Sequence, residues 1–132
     1  MNAALKYQST THVYRGAATI DEGKRMAAEM LAHPFRCTAV ICSNNLFAVG
    51  CLRVFNTHHI TVPHDISLIT FDEYPFAKFT DPPLTTVGID VHNLGVQAGT
   101  LLLNKIKKPS LYVQSYSTLP VLEVRASDKV LG

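Results

Sequence analysis

The sequence predicts an α/β domain of three layers: a mainly parallel sheet covered by helices on both faces. Three observations lead there. Segments with strand character alternate with amphipathic helical segments along the chain. The strand candidates Thr38–Cys42 (TAVIC) and Ile66–Phe71 (ISLITF) are short and largely apolar, as in strands buried on both faces of a parallel sheet. The composition, 47% hydrophobic and 17% charged over 132 residues, supports one core and excludes a disordered chain.

Taken in order, Met1 to Gln8 reads as the tail of a helix, because Ala3, Ala4 and Leu5 are good helix formers. His12-Val13-Tyr14 is a short strand candidate. Thr19-Ile20-Asp21-Glu22 has the capping-box pattern, and the helix it opens runs to about Ala32, with Pro34 closing the unit. After Thr38–Cys42, Ser43-Asn44 supplies an N-cap for a helix from about Asn45 to Phe55. His58-His59 marks its exit and reads as a solvated turn. Ile66–Phe71 is the second buried strand and stops at Asp72-Glu73. A mixed loop follows, then Pro82-Pro83 and the extended Thr85-Thr86-Val87. Asp90 caps a third helix to about Ile106, whose last turn and exit carry Lys105, Lys107 and Lys108 against its negative end. Leu119 to Val124 is a final strand candidate.

The bulk properties exclude several classes. A formal net charge of +2 with dispersed basic residues gives no stripe able to neutralise a run of phosphates. Cys37, Cys42 and Cys51 form no C-x-x-C pair, so neither a zinc site nor a disulfide framework is expected. Free thiols of this kind behave as small buried hydrophobes and suit a reducing cytosol. No signal peptide and no apolar run of membrane-spanning length is evident.

In a parallel α/β sheet, ligands bind at the edge formed by the strands' C-terminal ends. Three post-strand segments converge there: Arg15 to Ala18, Ser43-Asn44-Asn45 and Asp72-Glu73-Tyr74. An Asn amide and an acceptor-only carboxylate could together grip a polyhydroxylated or amide-bearing small molecule. The residues leave plainer readings open: Asn44 as nothing more than a helix cap, Asp72 as the start of a turn. Tyr74, Phe76 and Phe79 form an aromatic patch, suited either to local packing or to a subunit contact. Catalytic signatures are missing: no G-x-S-x-G elbow, no phosphate loop, and adjacent acids that diverge rather than face each other.

Four ordered motifs, TAVICSNNLFAVGCLRVF (Thr38–Phe55), VPHDISLITFDE (Val62–Glu73), PPLTTV (Pro82–Val87) and the helix containing Leu94-Gly95, resemble the LacI/GalR family of bacterial transcription repressors. The resemblance implies a fold like that of type I periplasmic binding proteins. It also implies a parent chain with a helix-turn-helix head, a hinge helix and a core of two subdomains. A sugar or nucleobase binds between those subdomains and alters operator affinity. On this view the chain is the C-terminal part of the core alone. Residues 1–81 and 110–132 would form the C-terminal subdomain, while residues 82–109 would be a crossover and a helix of the N-terminal subdomain. The head, most of the N-terminal subdomain and the first strand and helix of the C-terminal one would be missing.

Carried over residue by residue, the resemblance makes Asn44 and Asp72 ligand contacts. Val91 falls at a position that packs near the ligand, and Ala18 where many members stack an aromatic ring. Asn45 and Thr70 depart from the usual Asp and Gly. The helix from Leu46 to Phe55 and the loop from Phe76 to Thr80 fall in the family's dimer interface, which places Phe47, Cys51, Val54, Phe76 and Phe79 there. The expectation is therefore a cytoplasmic, non-enzymatic, sugar-sensing and dimerising module with no metal or cofactor. Its contact with operator DNA would run only through the missing head. The rival expectations are a fragment of a periplasmic sugar-binding protein and a small α/β enzyme using Asp72.

Overall fold

The computed structural model describes residues 10–34, 36–112 and 115–130. Three helices, α1 (Ile20–Ala32), α2 (Asn45–Thr57) and α3 (Val91–Lys107), accompany four strands. These are β1 (Ala39–Cys42), β2 (Ser67–Phe71), β3 (Thr85–Gly88) and β4 (Val121–Glu123), with a 3-10 turn at Ala77–Phe79. The sheet order is β1-β2-β3-β4, with the first three strands parallel and β4 antiparallel to β3.

Each helix starts where a side chain can satisfy its first amides. Thr19 accepts from the Glu22 N–H at 3.2 Å, the forward half of the capping box. The reciprocal half is not made, because Glu22 turns to the Arg25 guanidinium instead. Asn44 accepts from the Phe47 N–H and Asp90 from the Asn93 N–H. The exit of α2 explains His58-His59. His59 sits at φ 57°, the Ile60 N–H donates to Phe55 O and the His59 N–H to Asn56 O. This is a left-handed helix terminus built on His rather than Gly.

The core joins Ala27 and Met30 of α1 to Ala48, Cys51 and Phe55 of α2, over Cys42 and Leu68 of the sheet. Val62, Ile66, Ala77 and Leu84 close it from the connections. The two helices approach closely because Gly23 meets Gly50. A Cβ on Gly50 would lie 2.7 Å from the Gly23 Cα, and one on Gly23 would lie 2.9 Å from the Phe47 Cα. The C-terminal stretch is sewn back into the sheet through Ser127, which is fully buried. Its hydroxyl donates to Leu68 O and accepts from the Thr85 N–H, and its carbonyl accepts from the Leu68 N–H.

Several expectations change. His12-Val13-Tyr14 is not a strand of the described sheet, and it lines a cavity of about 600 Å³ together with β1. Only one face of the sheet is covered among the described residues. Val40, Cys42 and Leu68 face α1 and α2, whereas Ile41 is 72% exposed and Phe71 47% exposed. Helix α3, which the resemblance assigns to the other subdomain, buries none of its residues among those described. The segment Pro82–Val87 is not simply a crossover. Its β-branched Thr85 and Thr86 are buried, and Thr85–Gly88 is a full strand of the sheet. Met1 to Gln8 lies outside the described residues.

Candidate functional site

Because β1, β2 and β3 run parallel, their C-terminal ends share one edge. Asn44 follows β1, Asp72 follows β2, and Val91 opens α3 shortly after β3. In register, Cys42 faces Thr70, which brings the Asn44 and Asp72 turns side by side. Half-buried Asn44 spends its carbonyl oxygen on the α2 cap. Its amide nitrogen makes no hydrogen bond among the described residues. Asp72 is exposed, and its carboxylate is likewise without a partner among them. The edge thus presents amide donors next to a carboxylate acceptor, a combination suited to vicinal hydroxyls.

Asp72 takes φ 70°, left-handed backbone that costs a non-glycine residue about 1 kcal/mol. The neighbouring Asn45 is fully buried, and its Nδ2 donates to both Phe71 O (2.9 Å) and Asp72 O (2.7 Å). Its Oδ1 is buried without a hydrogen-bond partner among the described residues, and a buried acceptor left so costs about 1–3 kcal/mol. The Asp72 N–H continues the sheet by donating to Val87 O at 3.0 Å. Gly88 makes room for this turn, since a Cβ there would stand 2.6 Å from the Glu73 nitrogen.

Glu73 diverges from Asp72, as adjacent acids must. It turns inward to Arg125, with Nη2 to Oε1 at 2.6 Å, and accepts from the Thr86 hydroxyl. Arg125 also donates to Leu84 O at 2.6 Å. Burial alone would raise the Glu73 carboxyl, but hydrogen bonds from Arg125 and Thr86 and the charge of Arg125 more than offset it. The group is held below its usual range. One acid of the pair is therefore structural, and the other stands at the edge without a partner among the described residues.

Ala18 is exposed, just before the α1 cap, at the end of α1 that meets the first turns of α2. Val91 is 62% exposed at the start of α3. Of the five residues read as interface, Cys51 lies inside the core with its thiol directed at Gly23 O, so it offers no surface. Phe47 and Val54 pack half-buried against that core. Phe79 is 79% exposed under the Lys78 ammonium, and Phe76 stacks on Tyr74 with ring centroids 5.7 Å apart. Cys42 and Cys51 are free and buried, and the Cys42 thiol is pushed up by its contact with Cys51 and by burial. No group of side chains among the described residues could hold a metal ion. None of the described helices is long and apolar enough to cross a membrane. Among the described residues, the cavity beside β1 is lined by no Asp, Glu, Lys or Arg, and it does not reach Asn44, Asp72, Ala18 or Val91.

Sequence reasoning put Asn45 in the converging Ser43-Asn44-Asn45 segment and noted it as a departure but gave it no role, and it passed over Gly88 and Arg125. A second Asn directly after the cap, where a strong helix former is expected, was the available signal for Asn45. Nothing local marked Arg125, whose partner is 52 residues away.

Residues 2–127 match the family described as periplasmic binding protein-like domain. The transcriptional regulator MalR of Streptomyces coelicolor is 35% identical over 109 residues, covering 83% of this chain and 31% of its own. The ribose operon repressor of Escherichia coli is 35% identical over 99 residues, 75% of this chain and 30% of its own. Among solved structures, a LacI family regulator from Enterococcus faecium with bound ribose superposes with a TM-score of 0.88 at 25% identity. The match covers 98% of this chain and 49% of that one. A LacI family regulator from Lactobacillus casei with bound sucrose gives 0.79 at 25% identity, over 94% and 47%. The chain thus spans about a third of the length of these named relatives.

Proposed function

The chain belongs to the periplasmic-binding-protein-like family, among LacI-type regulators, and from that premise we propose that it is the effector-sensing and dimerising portion of a LacI-type transcriptional repressor. Its effector is a small sugar or related metabolite held between two lobes. The observation that carries this reading is the pairing of the Asn44 amide with the unpartnered Asp72 carboxylate at one sheet edge. Asp72 accepts from ligand hydroxyls and Asn44 donates to them. Ala18 and Val91 line the pocket, and the small Ala18 leaves room for a larger or differently posed ligand. The stretch after β3, with helix α3, leads from this lobe to a second one that completes the crevice. The relatives are transcription regulators rather than enzymes, and the absence of turnover in this chain belongs to the same proposal. So do a cytoplasmic location, a homodimer through Phe47, Val54, Phe76 and Phe79, and contact with operator DNA through a head outside these residues.

Ligand closure alters operator affinity only through differential affinity for two states of the dimer. Two experiments test the reading. An in-frame stretch upstream of the Met1 codon, encoding a second lobe and a helix-turn-helix, supports it; a stop codon directly upstream overturns it. With only one side of the crevice present, ribose or sucrose at millimolar concentration should leave the melting temperature of the 132-residue chain nearly unchanged. A saturable rise would overturn the half-site geometry.

A further inference from the structure

The geometry points to Asn45 as the residue that presents Asp72: we propose that its side-chain amide holds the left-handed backbone which aims the Asp72 carboxylate out of the sheet edge. The inference rests on the reading of Asp72 as a ligand contact. In an extended strand, successive carbonyls point to opposite sides. Here the consecutive carbonyls of Phe71 and Asp72 converge on a single nitrogen, Asn45 Nδ2, at 2.9 and 2.7 Å. They can do so because φ of Asp72 is 70°. The two amide hydrogens therefore fit the turned backbone and not the straight one. A carboxylate of the same shape has no hydrogen to offer and would set negative oxygens against both carbonyls.

The rest of the site agrees with this role. Asn45 is fully buried and contacts the site through backbone only, so it is a positioning residue and not itself a ligand contact. Its Oδ1 is left unmatched, so the side chain is oriented by its donors alone. The Asp72 N–H is fixed to Val87 O, and the missing side chain at Gly88 admits the turn. Glu73, the next residue, is drawn inward to Arg125. Asn45 supplies the bonds that hold the left-handed turn at Asp72.

The test is a double-substitution cycle with a spectroscopic readout. Asn45→Asp and Asn45→Ala are each made in the wild-type chain and in the Asp72→Gly background, where glycine takes positive φ without help. Chemical denaturation should show a loss of midpoint for each Asn45 variant that falls by at least half in the Asp72→Gly background. The strong intraresidue HN–Hα cross-peak that a left-handed Asp72 gives should weaken in Asn45→Ala and in Asn45→Asp. Equal losses in both backgrounds overturn the proposal, as does an unchanged cross-peak. A variant that folds only in the Asp72→Gly background supports it, and failure to fold in both alike overturns it. Neither readout uses a ligand. If Asp72→Asn left ribose binding by a longer form of the protein intact, the reading of Asp72 would fall while this cycle still stood.

Discussion

Helices α2 and α3 both begin at a side-chain cap, Asn44 or Asp90, and both carry mostly apolar residues. Helix α2 buries Asn45, Ala48, Gly50, Cys51 and Phe55. Helix α3 has 17 residues against 13 and buries none, leaving Leu102, Leu103 and Ile106 each more than half exposed. The apolar spacing says that a helix has a face to cover; it does not say with what. For α2 the cover is α1 and the sheet, all within these residues. For α3 no described element supplies it, and the proposed second lobe is the surface that would.

The contrast can be broken first by deletion. Phe55→Ala should cost about 3–5 kcal/mol in urea denaturation, because Phe55 is fully buried. Leu102→Ala should fall within about 0.5 kcal/mol, and a large loss there would mean that α3 is covered after all. Glycines divide the helices in the same way. Gly50→Ala would press a methyl group on the α1 backbone and should cost about 1–3 kcal/mol. Gly99→Ala in α3 meets nothing within 4 Å and should stabilise the helix by up to about 1 kcal/mol.

The ion pair beside the site sharpens the comparison by pH. The Glu73 carboxyl is held below its ordinary 4.5. Its contribution is therefore complete above that pH and is lost as pH falls through the lowered value. Glu73→Gln should remove about 1–2 kcal/mol near neutrality, and the deficit against wild type should shrink toward acid. A deficit independent of pH would mean that the Arg125 contact contributes through packing alone. A modest effect is expected at the α3 cap, where Asp90→Ala should cost about 1 kcal/mol or less. Because α3 buries none of its residues, the change should appear as fraying of its first turn in amide exchange rather than as a shift of the global midpoint.

How much of this was legible beforehand depended on range along the chain. The caps Thr19, Asn44 and Asp90 were read correctly because a cap involves residues only three apart. Asp72 and Asn44 were placed at one edge by the logic of parallel strands. Arg125 and Ser127 were not read, since their partners lie 39 to 59 residues away. How far the described residues cover the sheet was legible only in part, for a related reason. A strand such as TAVIC shows that both faces are apolar, not that the chain contains enough helix to cover both. His12-Val13-Tyr14 failed in the same way, as a β-compatible segment without a neighbour to pair with.

The stitch at Ser127 has a consequence for the order of events during synthesis. The amide of Thr85 and both backbone groups of Leu68 bond to Ser127, 42 and 59 residues further along. A nascent chain that has already delivered β1, β2 and β3 still lacks those bonds. The sheet can close only once Ser127 has left the ribosome, through loops whose ends are slow to meet. Until that moment open strand edges are available for wrong pairings.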